Sequence, residues 1–297
     1  MDTSLPRARG LHLPAPAFRR LALGNLLCLF VIVTSGATVR LTGSGLGCEH
    51  WPGCNAGLRV FPTGFHSYVE FSNRIFSGVA VVLTLATWLA AWLTPAVRSW
   101  VRRVAAGAFL GTLAEAPLGA VTVKYNLNPW LVGTHFLLSL VVLALAVLVV
   151  LEAWGVRGDD VPGWVRAAGL VVGAAGLALV VTGTFATAAG PHSGSVAVPR
   201  AWSFQPAVWL HVRATAVFGI AFALLVVWLA ARRRRQLLAA LAVLGVLGVQ
   251  IAVGEIQYRT ELPWWLVLVH VSLASALWAG IAAFVTLLWR PAASRMG

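Results

Sequence analysis

Charge is scarce in this chain. Only 10% of its 297 residues are charged, nine of them acidic, and there are three cysteines. So little charge excludes an ordinary water-soluble domain, in which about 25% of residues are Asp, Glu, Lys or Arg. Three cysteines allow at most one internal disulfide, which excludes a scaffold held by several bridges. Apolar residues fill the space instead: 59% of the chain, with a mean hydropathy of +0.84. They form runs of about 20 residues, the length that crosses ~30 Å of hydrocarbon. The pattern predicts an all-α polytopic membrane protein with spans at residues 21–39, 67–94, 104–123, 131–152, 167–188, 207–231, 237–256 and 264–289. The basic, proline-containing segment before the first span reads as a cytoplasmic arm, with no need of a cleavable signal peptide.

A net charge of +13 could suggest a nucleic-acid partner, but its distribution argues against one. Arg7, Arg9, Arg19, Arg20, then Arg98, Arg102, Arg103, then Arg157, Arg166, then Arg232 to Arg235, then Arg290 and Arg295 fall on alternate connections. By the positive-inside rule those connections face the cytoplasm, with both termini, and the Arg232–Arg235 run is a topology anchor.

The chain also repeats itself. Pro129-Trp130-Leu131-Val132-Gly133-Thr134-His135 and Pro263-Trp264-Trp265-Leu266-Val267-Leu268-Val269-His270 each open an apolar helix and place one histidine about two turns inside it. The same offset pairs Leu118-Gly119 with Val253-Gly254 and Glu115 with Gln250. This divides the chain into a basic arm at 1–20, a four-helix repeat at 21–152, a cytoplasmic linker at 153–166, a second repeat at 167–289 and a tail at 290–297. Four spans per half give both halves the same orientation, related by a pseudo-two-fold axis along the membrane normal.

An ionisable side chain inside a membrane helix is costly and marks a functional site by default. His12, His50 and His192 lie in terminal or loop segments and read as solvated. His66, His135, His211 and His270 instead gather near the outer ends of spans two, four, six and eight. A single such histidine could simply bond a loop carbonyl; three at matching depth favour a shared ligand site. Imidazoles from facing helices hold metals and haem in bundle cores. Haem is preferred to bare zinc, because no cysteine or carboxylate completes a tetrahedral set with His211 and His270. The second half therefore reads as a bis-histidine haem site. In the first half, Glu70-Phe71-Ser72-Asn73-Arg74 puts an asparagine where the partner of His135 should be, and asparagine is a poor haem ligand. Two unlike sites suggest two jobs, one permanent cofactor and one exchanging substrate.

Glu70, Asn73 and Arg74 share a helix face. Glu70 is open to two readings, a salt-bridge partner of Arg74 or a proton acceptor at the rim of a haem pocket. His66, one turn earlier, could relay protons or substitute as a ligand. Glu115 and Glu255 rank below Glu70, since their partners cannot be read from sequence. Cys48 and Cys54 fall on the oxidising face, where a disulfide is permitted, either to pin the loop or to exchange electrons. Cys28 lies inside span one and reads as packing.

The loop motif from Gly36-Ala37-Thr38-Val39-Arg40-Leu41-Thr42-Gly43-Ser44-Gly45-Leu46-Gly47-Cys48 through Trp51-Pro52 to Cys54, the Glu70–Arg74 motif and the three histidine helices together resemble the haem A synthase family, in its bacterial and actinobacterial-type members. The resemblance covers about residues 21–289. It implies a plasma-membrane enzyme that oxidises the C8 methyl of haem O to the formyl of haem A by successive hydroxylations. It further implies haem b on His211 and His270, the substrate haem on His135, Glu70 as the catalytic carboxylate and Cys48–Cys54 as an outer-loop disulfide. Haem b would relay electrons to an unknown acceptor, and haem O synthase and oxidase assembly factors would be partners. Two features depart from the family pattern. Asn73 replaces the histidine of Glu-x-x-His-Arg, which leaves the ligand opposite His135 open, with Asn73, Arg74 and His66 as candidates. Gly190-Pro191-His192 stands where some members carry a second cysteine pair.

Two other functions share part of this pattern. A cytochrome b-type electron carrier would need the bis-histidine half but no unlike first half and no Glu70. A haem transporter would suit the repeat, but it would need access from both faces, whereas the ligand candidates sit at one depth.

Overall fold

The computed structural model describes residues 12–50, 53–54, 62–192, 194, 200–232 and 234–290. Trp51, Pro52, Arg7, Arg9, Arg233, Arg295, most of the N-terminal arm and the tail after Arg290 lie outside the described residues. The rest is helical: α1 Ala15–Leu41, α2 Phe65–Leu93, α3 Ser99–Lys124, α4 Pro129–Ala153, α5 Gly163–Ala189, α6 Phe204–Ala231, α7 Gln236–Arg259 and α8 Trp264–Trp289. All eight are long and apolar enough to cross a membrane. α1 begins several residues before the expected span, because Pro16 fits the first turn and the Arg19 and Arg20 stems can lie along the helix.

Successive helices pack as antiparallel neighbours. α1, α2, α3 and α4 close a ring in which each touches the next, and α5, α6, α7 and α8 close a second ring in the same order. α8 packs against α1, α4 and α5, joining the rings, while α4 and α5 meet over only a few residues. Thr34 Oγ1 with Ser272 Oγ (3.2 Å) and Trp278 Nε1 donating to the Leu140 carbonyl (2.9 Å) fix this seam.

The α3–α4 and α7–α8 turns share one unusual geometry. Asn126 and Leu127 take φ of 51° and 56°, and Glu261 and Leu262, at the same offset of 135 residues, take 63° and 60°. Leu127 N–H bonds the Thr122 carbonyl and Leu262 N–H bonds the Gln257 carbonyl, again matched at that offset. Left-handed backbone costs a non-glycine residue about 1–2 kcal/mol, so two consecutive instances recurring in both turns are not a product of local propensity.

The second half has one continuous core, running from Val161 to Leu288 and centred on Phe218 stacked with Phe222 and Phe284 edge-on to Phe222. The first half has two smaller clusters, one around Phe18, Ala91 and Val101 and one around Leu29, Leu143 and Ala146. Cys28 packs against the latter, as a span-one packing residue should.

Candidate functional site

The end of the bundle that carries α1's C-terminus and α2's N-terminus holds nearly all the chemistry singled out above. His135 is the seventh residue of α4, His211 the eighth of α6, His270 the seventh of α8 and Asn73 the ninth of α2. At about 1.5 Å per residue the four lie roughly two turns inside the helix ends. His66 is shallower, in the first turn of α2, where its Nδ1 lies 2.9 Å from Ser44 Oγ.

Each of these four side chains faces a glycine on the preceding helix. A Cβ at Gly36 of α1 would lie 3.9 Å from Asn73 Oδ1; at Gly119 of α3, 3.5 Å from His135 Cε1; at Gly183 of α5, 3.2 Å from His211 Cε1; at Gly254 of α7, 3.0 Å from His270 Cε1. The same device is used four times, and it is tighter in the second half. Two turns deeper on the same helices the side chains are buried: Phe218, Leu247 and Leu277 in the second half and Ala80, Thr112 and Val142 in the first.

α6 and α8 stand diagonally across their ring, out of backbone contact, and the imidazoles meet in between. The His211 and His270 ring centroids are 6.3 Å apart with planes at 75°. Two metal–imidazole bonds of about 2.1 Å plus two half-rings of about 1.1 Å span nearly that distance. Thr182 Oγ1 lies 3.3 Å from His211 Nδ1, leaving Nε2 for another partner. Among the described residues no group of three or more His, Cys, Asp or Glu could hold a bare metal ion. The donor set, two imidazoles that meet between diagonal helices with a glycine beside each, fits haem.

The first half is built differently. His135 Nδ1 and Glu115 Oε2 approach to 2.5 Å, and Ser139 Oγ donates to Glu115 Oε1 at 2.7 Å. A carboxylate beside Nδ1 holds the ring's orientation, as carboxylates behind metal-binding histidines do. At the matching place in the second half, Gln250 donates instead to the backbone carbonyl of His270 (3.0 Å). On α2, Asn73 Oδ1 is buried beside Gly36 without a hydrogen-bond partner, an unsatisfied acceptor at the same depth as His135. Glu115 is the residue that sequence reasoning undervalued; its alignment with Gln250 was visible, its contact with His135 was not. Glu255, ranked with it, pairs with Arg259 at 2.5 Å at the exposed end of α7.

The loop after α1 is laced to the first turns of α2. Ser67 Oγ donates to the Gly47 carbonyl (2.5 Å), the Cys48 N–H donates to Glu70 Oε2 (2.8 Å), and Arg74 donates to the carbonyls of His50 (2.7 Å) and Gly53 (2.6 Å). Arg74 also donates to Glu70 Oε1 at 2.6 Å, the salt bridge considered from the sequence. Both oxygens of the buried Glu70 are thus engaged. Gly47 is obligatory, because a Cβ there would meet the His66 carbonyl group at 2.6 Å. Cys48 and Cys54 form a disulfide with Cα atoms 4.5 Å apart, and both are buried under the loop.

This loop also grips the second half. Arg40 donates to the carbonyls of Thr187 and His192, both at 2.9 Å, and Gly45 N–H donates to the Gly194 carbonyl (3.2 Å). Leu127 is wedged between Gly45 and Gly194. His192, expected to be solvated, instead holds the Leu262 carbonyl with Nε2 at 2.8 Å, whereas His12 and His50 are exposed as expected.

A family model described as "Cytochrome oxidase assembly protein" (COX15-CtaA) matches this chain over residues 19–64 and 56–282. The proteins named "Heme A synthase" of Listeria welshimeri serovar 6b and Listeria monocytogenes serovar 1/2a are each 27% identical to it over 295 residues, covering 92% of this chain and 95% of theirs. The protein of that name from Bacillus pumilus is 34% identical over 141 residues, 45% of each chain.

Proposed function

The chain belongs to the COX15-CtaA cytochrome oxidase assembly family, and from that membership and the paired glycine slots we propose that it is a haem A synthase, a membrane oxidoreductase that converts haem O to haem A. The observation that carries this reading is the inequality of the halves. The second half sets two imidazoles 6.3 Å apart against glycines with 3.0–3.2 Å of clearance, a geometry suited to a resident haem b. The first half offers a carboxylate-oriented His135, an unsatisfied Asn73 and clearances of 3.5–3.9 Å, suited to a macrocycle that must arrive and leave.

In this reading His211 and His270 would hold haem b, which when bound supplies a one-electron relay toward an acceptor outside the chain. His135 would hold the substrate haem, with its ring oriented by Glu115, and Asn73 offers a free acceptor that can bond a water or a polar group of the substrate. Each hydroxylation of the C8 methyl removes two electrons and two protons and takes its oxygen from water; the second gives a geminal diol that loses water to the formyl. Glu70 accepts protons from the methyl side. Each of its oxygens accepts one hydrogen bond, from Arg74 or from the Cys48 N–H, and keeps a further lone pair that can take the proton while the carboxylate still anchors the loop. His66, exposed one helical turn from Glu70, passes the proton outward, with its ring held at Nδ1 by the buried Ser44. Arg98, Arg157, Arg234 and Arg290 all lie at the opposite end from the disulfide, which by the positive-inside rule supports a cytoplasmic position for that end and haem sites toward the outer face of a bacterial plasma membrane. Haem O synthase and oxidase assembly factors would be its neighbours there, supplying and receiving haem.

The test is mass spectrometry of haems extracted from the protein after co-expression with a haem O synthase. Haem A or its hydroxylated precursor beside haem b is the expected result. Haem b alone, with haem O unchanged in the membranes, would favour an electron carrier of the cytochrome b kind. An unloaded first half with haem O on both membrane faces would favour a transporter.

A further inference from the structure

At the end remote from the disulfide, the two rings fail to close against each other. α4 and α5 barely touch, and between them, along α8, runs a furrow. Its mouth is a cavity of about 790 Å³ lined by Arg98, Arg157, Arg290, Leu148, Leu170 and Trp289. It continues inward as a second cavity of about 350 Å³, sharing Leu148 and Leu170 and ending at Leu177 and Trp278. The inner part is almost wholly apolar, and the mouth is cationic.

The charge at the mouth is not balanced by the protein. Glu152 is buried and bonds two of the guanidiniums, Arg157 at 2.8 Å through Oε2 and Arg290 at 2.7 Å through Oε1. Arg98 has no ion-pair partner among the described residues. Three guanidiniums against one carboxylate leave two positive charges. Arg290 registers the crowding: burial, opposed by Glu152 and reinforced by the nearby Arg157 and Arg98, pushes its pKa below the usual arginine value. Trp100 lies under Arg290 at 3.8 Å and holds the guanidinium in place. A neutral quinone or a neutral lipid would leave this charge uncompensated, and a small soluble anion would leave the apolar furrow unfilled.

We propose that the furrow binds an anionic phospholipid, its phosphate among Arg98, Arg157 and Arg290 and one acyl chain laid against Leu148, Leu170 and Trp278. Basic pockets between membrane helices are where anionic headgroups are held, and a lipid here would bridge the two rings where they make least contact with each other. The site is separate from the histidine layer and does not depend on the haem reading.

Delipidated protein in detergent is titrated with phosphatidylglycerol, phosphatidylcholine or inorganic phosphate, and retained adducts are counted by native mass spectrometry. Phosphatidylglycerol is expected to remain bound and phosphatidylcholine to wash away. Arg98→Gln, which breaks no ion pair, should weaken phosphatidylglycerol about fivefold. Ala174→Trp fills the furrow without touching a guanidinium and should abolish lipid retention while leaving any phosphate binding intact. Equal retention of both lipids would overturn the proposal, as would full retention in both variants. Displacement of phosphatidylglycerol by inorganic phosphate at equal concentration would overturn it too, by showing a soluble-anion site.

Discussion

Alanine at each of the four glycines probes the site at its narrowest dimension. The added methyl would stand 3.9 Å from Asn73 at position 36, 3.5 Å from His135 at 119, 3.2 Å from His211 at 183 and 3.0 Å from His270 at 254. The first two are ordinary contacts; the last two oblige an imidazole to move by a few tenths of an ångström. Replacing a mid-helix glycine by alanine stabilises a helix by about 1 kcal/mol, and overpacking costs about 1–3 kcal/mol. Gly36→Ala and Gly119→Ala should therefore melt at or above the wild-type temperature. Gly183→Ala and Gly254→Ala should fall between unchanged and ~2 kcal/mol less stable, too little to unfold the protein. Electron paramagnetic resonance of the oxidised protein reads imidazole orientation directly. The low-spin haem signal should shift in Gly183→Ala and Gly254→Ala, collapse with valine at either position, and stay unchanged in Gly36→Ala and Gly119→Ala. An unaltered low-spin spectrum in both valine variants would refute the assignment of His211 and His270 as ligands, because the γ carbons have nowhere to go beside those rings.

Glu115→Gln gives the first half the amide that Gln250 provides in the second; loss of the carboxylate from His135 should lower turnover by about 10–100-fold and leave the low-spin haem b spectrum untouched, as stopped-time product analysis would show. Glu70→Gln and Glu70→Ala should both retain haem and lose formyl formation by about 10²–10⁴-fold, and full activity in either would remove Glu70 from the chemistry. Gly47→Ala forces the loop off the His66 backbone and should lower the melting temperature through a cost of about 1–3 kcal/mol; a wild-type melting curve would contradict the close approach seen there.

The helices were legible because a membrane span writes itself as a run of apolar residues, and the ends differ mainly where arginines extend a helix beyond its apolar stretch, Arg19 and Arg20 in α1, Arg102 and Arg103 in α3 and Arg166 in α5. The histidine layer was legible because an imidazole in such a run is conspicuous. The partners of the acidic residues were not. Glu115 meets His135 across α3 and α4, and Glu70 meets the Cys48 N–H across the loop, and neither contact follows from spacing along one helix. The left-handed Leu127 was invisible for a different reason: nothing in leucine's own preferences announces that conformation, which is held by its N–H bond to the Thr122 carbonyl and by its side chain between Gly45 and Gly194.

The two strained turns give the rings a common frame. Four left-handed residues, at about 1–2 kcal/mol each, stand at matching places in the α3–α4 and α7–α8 connections. The helices that carry His135 and His270 therefore leave their turns in the same way. On such a frame a substitution changes the chemistry of one ring without moving its helices: α2 carries Asn73 where α6 carries His211, and α3 carries Glu115 where α7 carries Gln250.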